Sequence, residues 1–216
     1  MSNRLPYFHT PERIAALKDQ LAKWQTTRWR HSGTHPNEMR CGISGDCLFW
    51  VVAFKAIGAL PQHLVIPDYR KMEAAGDKMA LLRLRIMETG RAEMVMEEPT
   101  PASPPARGPK GWVNAGLQNI AQALSPPGRG PKGWVPMAGD VLLFRNGMSG
   151  VHCGLVIRPA PMHFFHLSQN GALEEPFNQS HWLASLAFVY RLMEEQPTPS
   201  ASLLPLQGGD KEVGVA

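Results

Sequence analysis

The sequence has little cysteine and no long apolar run, and each shortage excludes a class of protein. Its three cysteines, Cys41, Cys47 and Cys153, are odd in number and lack the spacing of a disulfide framework. This favours a reduced, intracellular protein or one with a reactive thiol. The longest apolar run, CLFWVVAF at 47–54, is too short to span a bilayer. The first ten residues lack the apolar core of a signal peptide, so we expect cytoplasmic synthesis and no membrane insertion.

The charged residues form no long run of one sign. The chain carries 22 Lys and Arg against 18 Asp and Glu, a formal net charge of +4, with the two signs interspersed. Nucleic-acid binding therefore has little support, and a cell-wall polymer or a membrane surface would suit the charge equally well. With 44% hydrophobic residues, the chain has the composition of a globular protein. We expect one domain over 1–194, with a Pro/Gly-rich insertion at about 97–135, and a disordered tail over 195–216.

Helical patterns dominate the first ninety residues. Thr10 is a predicted N-cap before Pro11, and apolar residues then recur at helical spacing: Ile14, Leu17, Leu21 and Trp24. A second helix, apolar on every face, is predicted to begin near Cys47, to hold it in its first turn, and to stop at Gly58 and Pro61. A third helix is predicted over 68–89, with Gly90 as its stop signal.

Short alternating segments follow in the second half of the chain. They read as strands over 139–145, 151–158, 162–168 and 186–192, separated by turn residues that include NGMSG and NGALEEPF. Their short connections favour antiparallel pairing. Helices followed by a block of such strands predict an α+β fold in which the helix bearing Cys47 packs on an antiparallel sheet.

Cys47 is the strongest candidate for chemistry. A thiol at a helix N-terminus is more acidic because the dipole and the free amides stabilise the thiolate, and Asp46 could cap that helix. A nucleophilic cysteine also needs a base and a group that orients the base. His152 lies in an apolar strand, and the next strand supplies His163 and His166 on opposite faces. Alternation alone does not decide which of these two points towards His152.

Four short motifs together resemble the NlpC/P60-type cell-wall peptidases, a branch of the papain-like cysteine peptidases. They are GDCLFWVV at 45–52, AGDVLLF at 138–144, VHCGLVI at 151–157 and FFHLSQNG at 164–171. The likeness covers about residues 11–192 and is greatest to the subgroup found in phage tails and gene-transfer agents. It implies a papain-like fold, peptidoglycan as the substrate, and phage tail proteins as partners. Virion association or release by lysis would then bring the protein to the wall.

The resemblance assigns roles residue by residue. Cys47 matches the nucleophile, His152 the general base, and His166 the orienting third member, with His163 as the fallback. It implies thiolate attack on an amide carbonyl, an acyl-enzyme and hydrolysis, with no metal or cofactor. Further candidates for substrate or oxyanion contacts are Asp46, Trp29, Phe49 and Arg145.

Two of these further candidates depart from the family pattern. Phe49 puts a bulky ring where a small residue is common, near the predicted cleft. Trp29 stands where the family has a tyrosine, and an indole donates one N–H but is no phenol.

Three other functions remain open at this stage. The first is a metal site built from Cys41, Cys47, His152 and Cys153, although this spacing fits no compact zinc pattern and neighbouring strand residues face opposite ways. The second is a tail-assembly protein with a decayed site, which Phe49 and Trp29 favour. The third is a papain-like deamidase or acyltransferase, because such motifs fix a nucleophile and not a substrate.

An 11-residue near-repeat lies within the insertion. SPPARGPKGWV at 103–113 and SPPGRGPKGWV at 125–135 differ only at Ala106 and Gly128, and the likeness does not extend into their neighbours. Identity that stops so sharply indicates a recent local duplication. The second copy leads directly into the Gly-Asp strand, so the first copy is the predicted extra one. The functional alternative is a pair of basic, aromatic fingers that bind the wall.

Overall fold

The computed structural model describes residues 4–29, 39, 41–45, 47–65, 83, 86–87, 89–97, 134–146 and 150–195. Its helices and strands, in chain order, are α1 Pro11–Ala22, β1 Arg28–Trp29, β2 Ser44–Gly45, α2 Phe49–Ala56, β3 Ala92–Glu97, β4 Val141–Asn146, β5 Gly150–Pro159, β6 Met162–Ser168, β7 Gly171–Pro176, α3 Ser180–Ser185 and β8 Leu186–Leu192. The described residues include helices and a large antiparallel sheet, which confirms the α+β class.

Helix α1 begins and packs as its sequence predicts. The Thr10 hydroxyl accepts a hydrogen bond from the Arg13 amide at 3.4 Å, which satisfies one of the free first-turn donors. Pro11 occupies the first helical position, where a missing N–H costs nothing. Of the predicted apolar face, Leu17, Leu21 and Trp24 are buried in the core.

Helix α2 is shorter than predicted and begins after Cys47. Its N-cap is Leu48, which makes no side-chain capping bond, so Cys47 lies before the helix rather than in its first turn. Asp46, the predicted cap, lies outside the described residues. The helix ends as expected near Gly58, which adopts a positive φ of 72°. The Ala59 amide then donates back to the Phe54 carbonyl at 2.8 Å and closes the C-terminus.

The main sheet has six strands in the order β3-β8-β4-β5-β6-β7, and every neighbouring pair is antiparallel. The four predicted strands correspond to β4, β5, β6 and β8. The prediction was wrong at β7, since Gly171–Pro176 was assigned to a turn and instead forms the edge strand beside β6. Strand β3 was also missed, and it pairs with β8 at the other edge. A separate two-stranded parallel sheet joins β1 to β2.

Alternation along the strands gives the main sheet two apolar faces. One face includes Cys153 and Leu155 of β5 and packs against α1 and α2. The other face includes Phe144 and Phe164, and α3 covers part of it through Trp182. Gly154 permits this second packing, because a Cβ at that position would lie 2.5 Å from Phe164 Cδ2.

Several predicted segments fall wholly or largely outside the described residues. Most of the helix predicted over 68–89 does so, although Arg83, Ile86 and Met87 are helical and Gly90 has a positive φ of 66°. So do most of the insertion, the first repeat copy and the tail beyond 195. Across the parts of the chain that the structure does describe, none of the helices has the length and apolar character needed to cross a membrane.

Candidate active site

The thiol of Cys47 lies just before α2, against the first residues of β5. Gly45, just before it, allows a tight approach to β6, because a Cβ there would lie 2.7 Å from Leu167 Cδ1. The Cys47 Sγ then donates a hydrogen bond to the Val151 carbonyl at 3.3 Å. Pairing of β5 with β6 begins further along, at Gly154↔His166. The thiol therefore lies at the N-terminal end of β5, before the point where β5 begins to pair with β6.

Neighbouring side chains make the Cys47 thiol acidic. Its pKa is lowered well below the usual value, and the largest cause is a hydrogen bond with the side chain of Cys153. Burial opposes this by disfavouring the charged form, while a hydrogen bond with His152 and its charge lower the pKa further. The side chains of His152 and Cys153 lie on opposite faces of β5, and both act on the thiol. The lowered pKa increases the fraction of thiolate, the nucleophilic form of cysteine, whereas the neutral thiol is the form that donates to the Val151 carbonyl.

The two histidines predicted to act together are in direct contact. His152 Nε2 lies 2.9 Å from His166 Nδ1, and the two rings are nearly perpendicular at 85°. His163, the fallback, faces the other way and contacts Arg158 at 3.0 Å and Glu174 at 3.3 Å. The choice that strand alternation left open is thus made by the register of β5 and β6, which brings His166 next to His152.

Burial keeps His166 neutral near pH 7. The residue is 4% exposed, and its pKa is lowered from 6.5 to about 4, chiefly by burial and next by the charge of His152. The charge of Glu175 acts in the opposite direction but does not overcome these effects. A neutral imidazole has one N–H and one lone pair, so His166 can accept from His152 only with its own proton on Nε2.

Two residues at this site were not predicted from the sequence. Trp182 of α3 stacks on the His152 ring, with centroids 5.7 Å apart and planes at 24°. Its Nε1 donates to Glu175 Oε2 of β7 at 2.7 Å, and that oxygen lies 3.8 Å from His166 Nε2. The available signals were a tryptophan beside His181 and a carboxylate in NGALEEPF. Glu175 was missed because NGALEEPF was assigned to a turn, and Trp182 was missed because no helix was predicted between that stretch and the last strand.

Two other predicted contact residues lie on different strands, Trp29 on β1 and Arg145 on β4. Trp29 pairs with Gly45 and is close to it in the fold. Arg145 of β4 lies opposite Val151, with its guanidinium 5.7 Å from the Phe188 ring centroid.

Phe49 does not line a cleft as expected. It is fully buried, and its ring packs between Trp24 and Phe165 at centroid distances of 5.7 Å to each. It is one of five buried residues of α2.

The cysteines are not gathered into a metal centre. Cys41 is exposed and Cys153 is buried in the core. Among the described residues, no cluster of three or more His, Cys, Asp or Glu side chains has an arrangement that could hold a metal ion. The chemistry offered by this geometry is that of an activated thiol with an adjacent imidazole pair.

Comparison with known proteins adds no relative to this description. Neither a scan of the chain against models of protein families nor a search of curated proteins returns a match.

Proposed function

We propose that this chain is a thiol-dependent hydrolase that cleaves amide bonds in the stem peptides of peptidoglycan, on a papain-like fold of the NlpC type. The observation that carries the proposal is the acidic Cys47 thiol beside His152, whose Nε2 lies 2.9 Å from His166. A thiol, a base and a group that orients the base are what nucleophilic acyl transfer needs. The substrate class and a role in phage tails rest on the motif resemblance alone.

In the proposed reaction, the Cys47 thiolate attacks the amide carbonyl and forms a tetrahedral intermediate. The Cys47 backbone N–H is our candidate oxyanion donor. As the intermediate collapses, His152 protonates the leaving amine and the acyl group stays on sulfur. His152 then takes a proton from water, which attacks the thioester and releases the acid and the thiolate. His166 holds the His152 ring and its proton in place throughout.

The alternative of a decayed site loses one of its two arguments. That alternative depended on Phe49 and Trp29, the two residues that depart from the family pattern. With Phe49 packed in the core, its size is no obstacle to substrate. Arg145, on the strand next to Val151, is a candidate partner for a stem-peptide carboxylate. Deamidase or acyltransferase activity would use the same thiol with another acceptor or substrate.

Hydrolysis of purified peptidoglycan tests the proposal. Wild type and Cys47→Ala are incubated with walls of several types, and soluble fragments are identified by mass spectrometry. Cys41→Ala is the matched control, since Cys41 is an exposed thiol. We expect fragments from wild type and Cys41→Ala, with at least a roughly thousandfold loss in Cys47→Ala. If folded wild type releases nothing from any wall, the hydrolase proposal is wrong.

A further inference from the structure

Glu175 lies near Nε2 of His166, the ring nitrogen that does not contact His152. It is on β7 opposite Phe164, and so shares a sheet face with His166, which lies two residues further along β6. Its Oε2 is 3.8 Å from His166 Nε2, and the two side chains are 26% and 5% exposed. His166 Nε2 is buried and has no hydrogen-bond partner among the described residues. At 3.8 Å the carboxylate acts on it through charge rather than through a short hydrogen bond.

Trp182 fixes the carboxylate in this place. Its indole N–H donates to Glu175 Oε2 at 2.7 Å, while the same ring stacks on His152 and meets His166 edge-on at a centroid distance of 5.2 Å. One side chain thus packs on both histidines and holds the carboxylate next to them. A partly buried carboxylate with this neighbour has little freedom to turn towards water.

We propose that Glu175 is a positioning residue that keeps the proton of neutral His166 on Nε2, so that Nδ1 is free to accept from His152. This inference rests on the proposed thiol chemistry, and it extends the cysteine and histidine set by one carboxylate. A negative charge beside Nε2 favours the N–H on that nitrogen, because the N–H dipole points towards the carboxylate.

The tautomer matters for the ion-pair form of the site, in which the proton of the Cys47 thiol has moved to the His152 ring. An imidazolium has an N–H at both nitrogens, so its Nε2–H needs an acceptor at the 2.9 Å contact with His166 Nδ1. If the His166 proton moved to Nδ1, two N–H groups would face each other. The imidazolium would then be disfavoured, and with it the thiolate. Glu175 therefore acts on the thiol through two histidines.

The pH dependence of Cys47 alkylation reads out this effect without any substrate. Among the described residues, the titratable groups that act on the thiol are Cys153 and His152, and those that act on His166 are His152 and Glu175. Wild type and Glu175→Gln are treated with iodoacetamide across a pH range, and modification of Cys47 is followed by mass spectrometry. Glu174→Gln is the matched control, since Glu174 lies on the other face of β7 and contacts Arg158 and His163.

We expect the alkylation midpoint of Cys47 to rise by about one pH unit in Glu175→Gln. It should stay at the wild-type value in Glu174→Gln. A glutamine can still accept from Trp182 but has no charge, and its amide can donate to His166 Nε2. Trp182→Phe keeps a ring on His152 and removes the donor to Glu175, so its midpoint should move in the same direction. An unchanged midpoint in both folded variants would overturn the inference.

A direct measurement of the tautomer makes the test independent of variant folding. Two-bond ¹H–¹⁵N spectra of the histidine rings in the wild-type protein should show the His166 proton on Nε2 at neutral pH. A proton on Nδ1 would overturn the inference. Neither measurement requires hydrolysis. If the wild type cleaves no wall, but has the expected tautomer and the variants show the expected shift in midpoint, only the proposed function is contradicted.

Discussion

At the scale of single residues, the acidity of Cys47 has a different origin from the one its sequence suggests. The motif predicted a thiolate stabilised by a helix terminus, but α2 begins at Phe49, after the thiol. The pKa is lowered instead by hydrogen bonds with Cys153 and His152. Sequence identifies the residue because Gly-Asp-Cys is a recognisable motif. It does not identify the cause, because these contacts depend on where α2 meets a strand a hundred residues later.

His166 should make stability depend on pH. Its pKa is about 4 in the folded protein against 6.5 for a free side chain, so the unfolded chain binds more protons between these values. Stability therefore rises with pH in this window, and the free energy of unfolding should fall by up to about 3 kcal/mol as the pH drops from about 6.5 to about 4. Urea denaturation of His166→Asn at several pH values should show a flatter slope than wild type. His163→Asn is the control, and an equal slope in His166→Asn would contradict the assignment.

At the scale of elements, Asp140 joins three segments at the start of β4. Its carboxylate is fully buried and accepts from Trp134 Nε1 at 3.0 Å and from the Met137 amide at 2.9 Å. Arg191 of β8 binds both carboxylate oxygens, at 2.8 and 2.9 Å. The Gly-Asp motif of the sequence is thus a structural anchor that ties β4, β8 and the segment leading into the sheet to one another.

Loss of this anchor should be costly. Burial raises the pKa of Asp140 despite the Arg191 guanidinium, so the carboxylate is retained only because all these donors compensate its desolvation. In Asp140→Ala the N–H groups of Trp134 and Met137 lose their acceptor, and Arg191 keeps only the Val135 carbonyl. We expect a loss of about 3 to 5 kcal/mol in the free energy of unfolding. Asp19→Ala, at an exposed position of α1, should change it by less than about 0.5 kcal/mol. Equal effects in urea denaturation would show that Asp140 is no anchor.

Elements with a strong local signal were predicted well, and the others were not. Alternating apolar residues bounded by turns locate β4, β5, β6 and β8, and the Thr10 cap locates α1. Strand β7, GALEEP, is an edge strand with few apolar residues, and its last five positions are all exposed or half-exposed. Its assignment depends on pairing with β6, which is a tertiary contact and leaves no local pattern. Trp182 and Glu175 were missed for the same reason.

At the scale of the whole molecule, the site draws on both faces of one sheet. Helices α1 and α2 cover the face that holds Cys153, whereas α3 covers the face that holds the histidine pair. The thiol at the end of β5 interacts with both sides, through Cys153 and through His152. The candidate site therefore forms only once both layers have assembled. The sequence indicated Cys47, His152 and His166, but not Glu175, whose place beside His166 depends on the pairing of β7 with β6.

The second copy of the near-repeat contributes residues to the packing around β4. Trp134, in the second copy, is 4% exposed and donates to Asp140, and the Val135 carbonyl accepts from Arg191 at 2.8 Å. Trp134 of the second copy is therefore part of the core, whereas the side chain of Val135 is exposed. The first copy lies outside the described residues, as does the rest of the chain from 98 to 133.

Deletion of residues 103–124 should leave the fold intact. It removes the first copy while it keeps Trp134, and a shorter connection between β3 and β4 changes the loop entropy by only about 1 kcal/mol or less. Trp134→Ala should instead destabilise the protein by about 3 kcal/mol, because a buried ring and a donor to Asp140 are lost. Urea denaturation compares the two. Loss of cooperative unfolding in the deletion variant would contradict the duplication hypothesis, whereas a stable variant that no longer sediments with peptidoglycan would support wall-binding fingers.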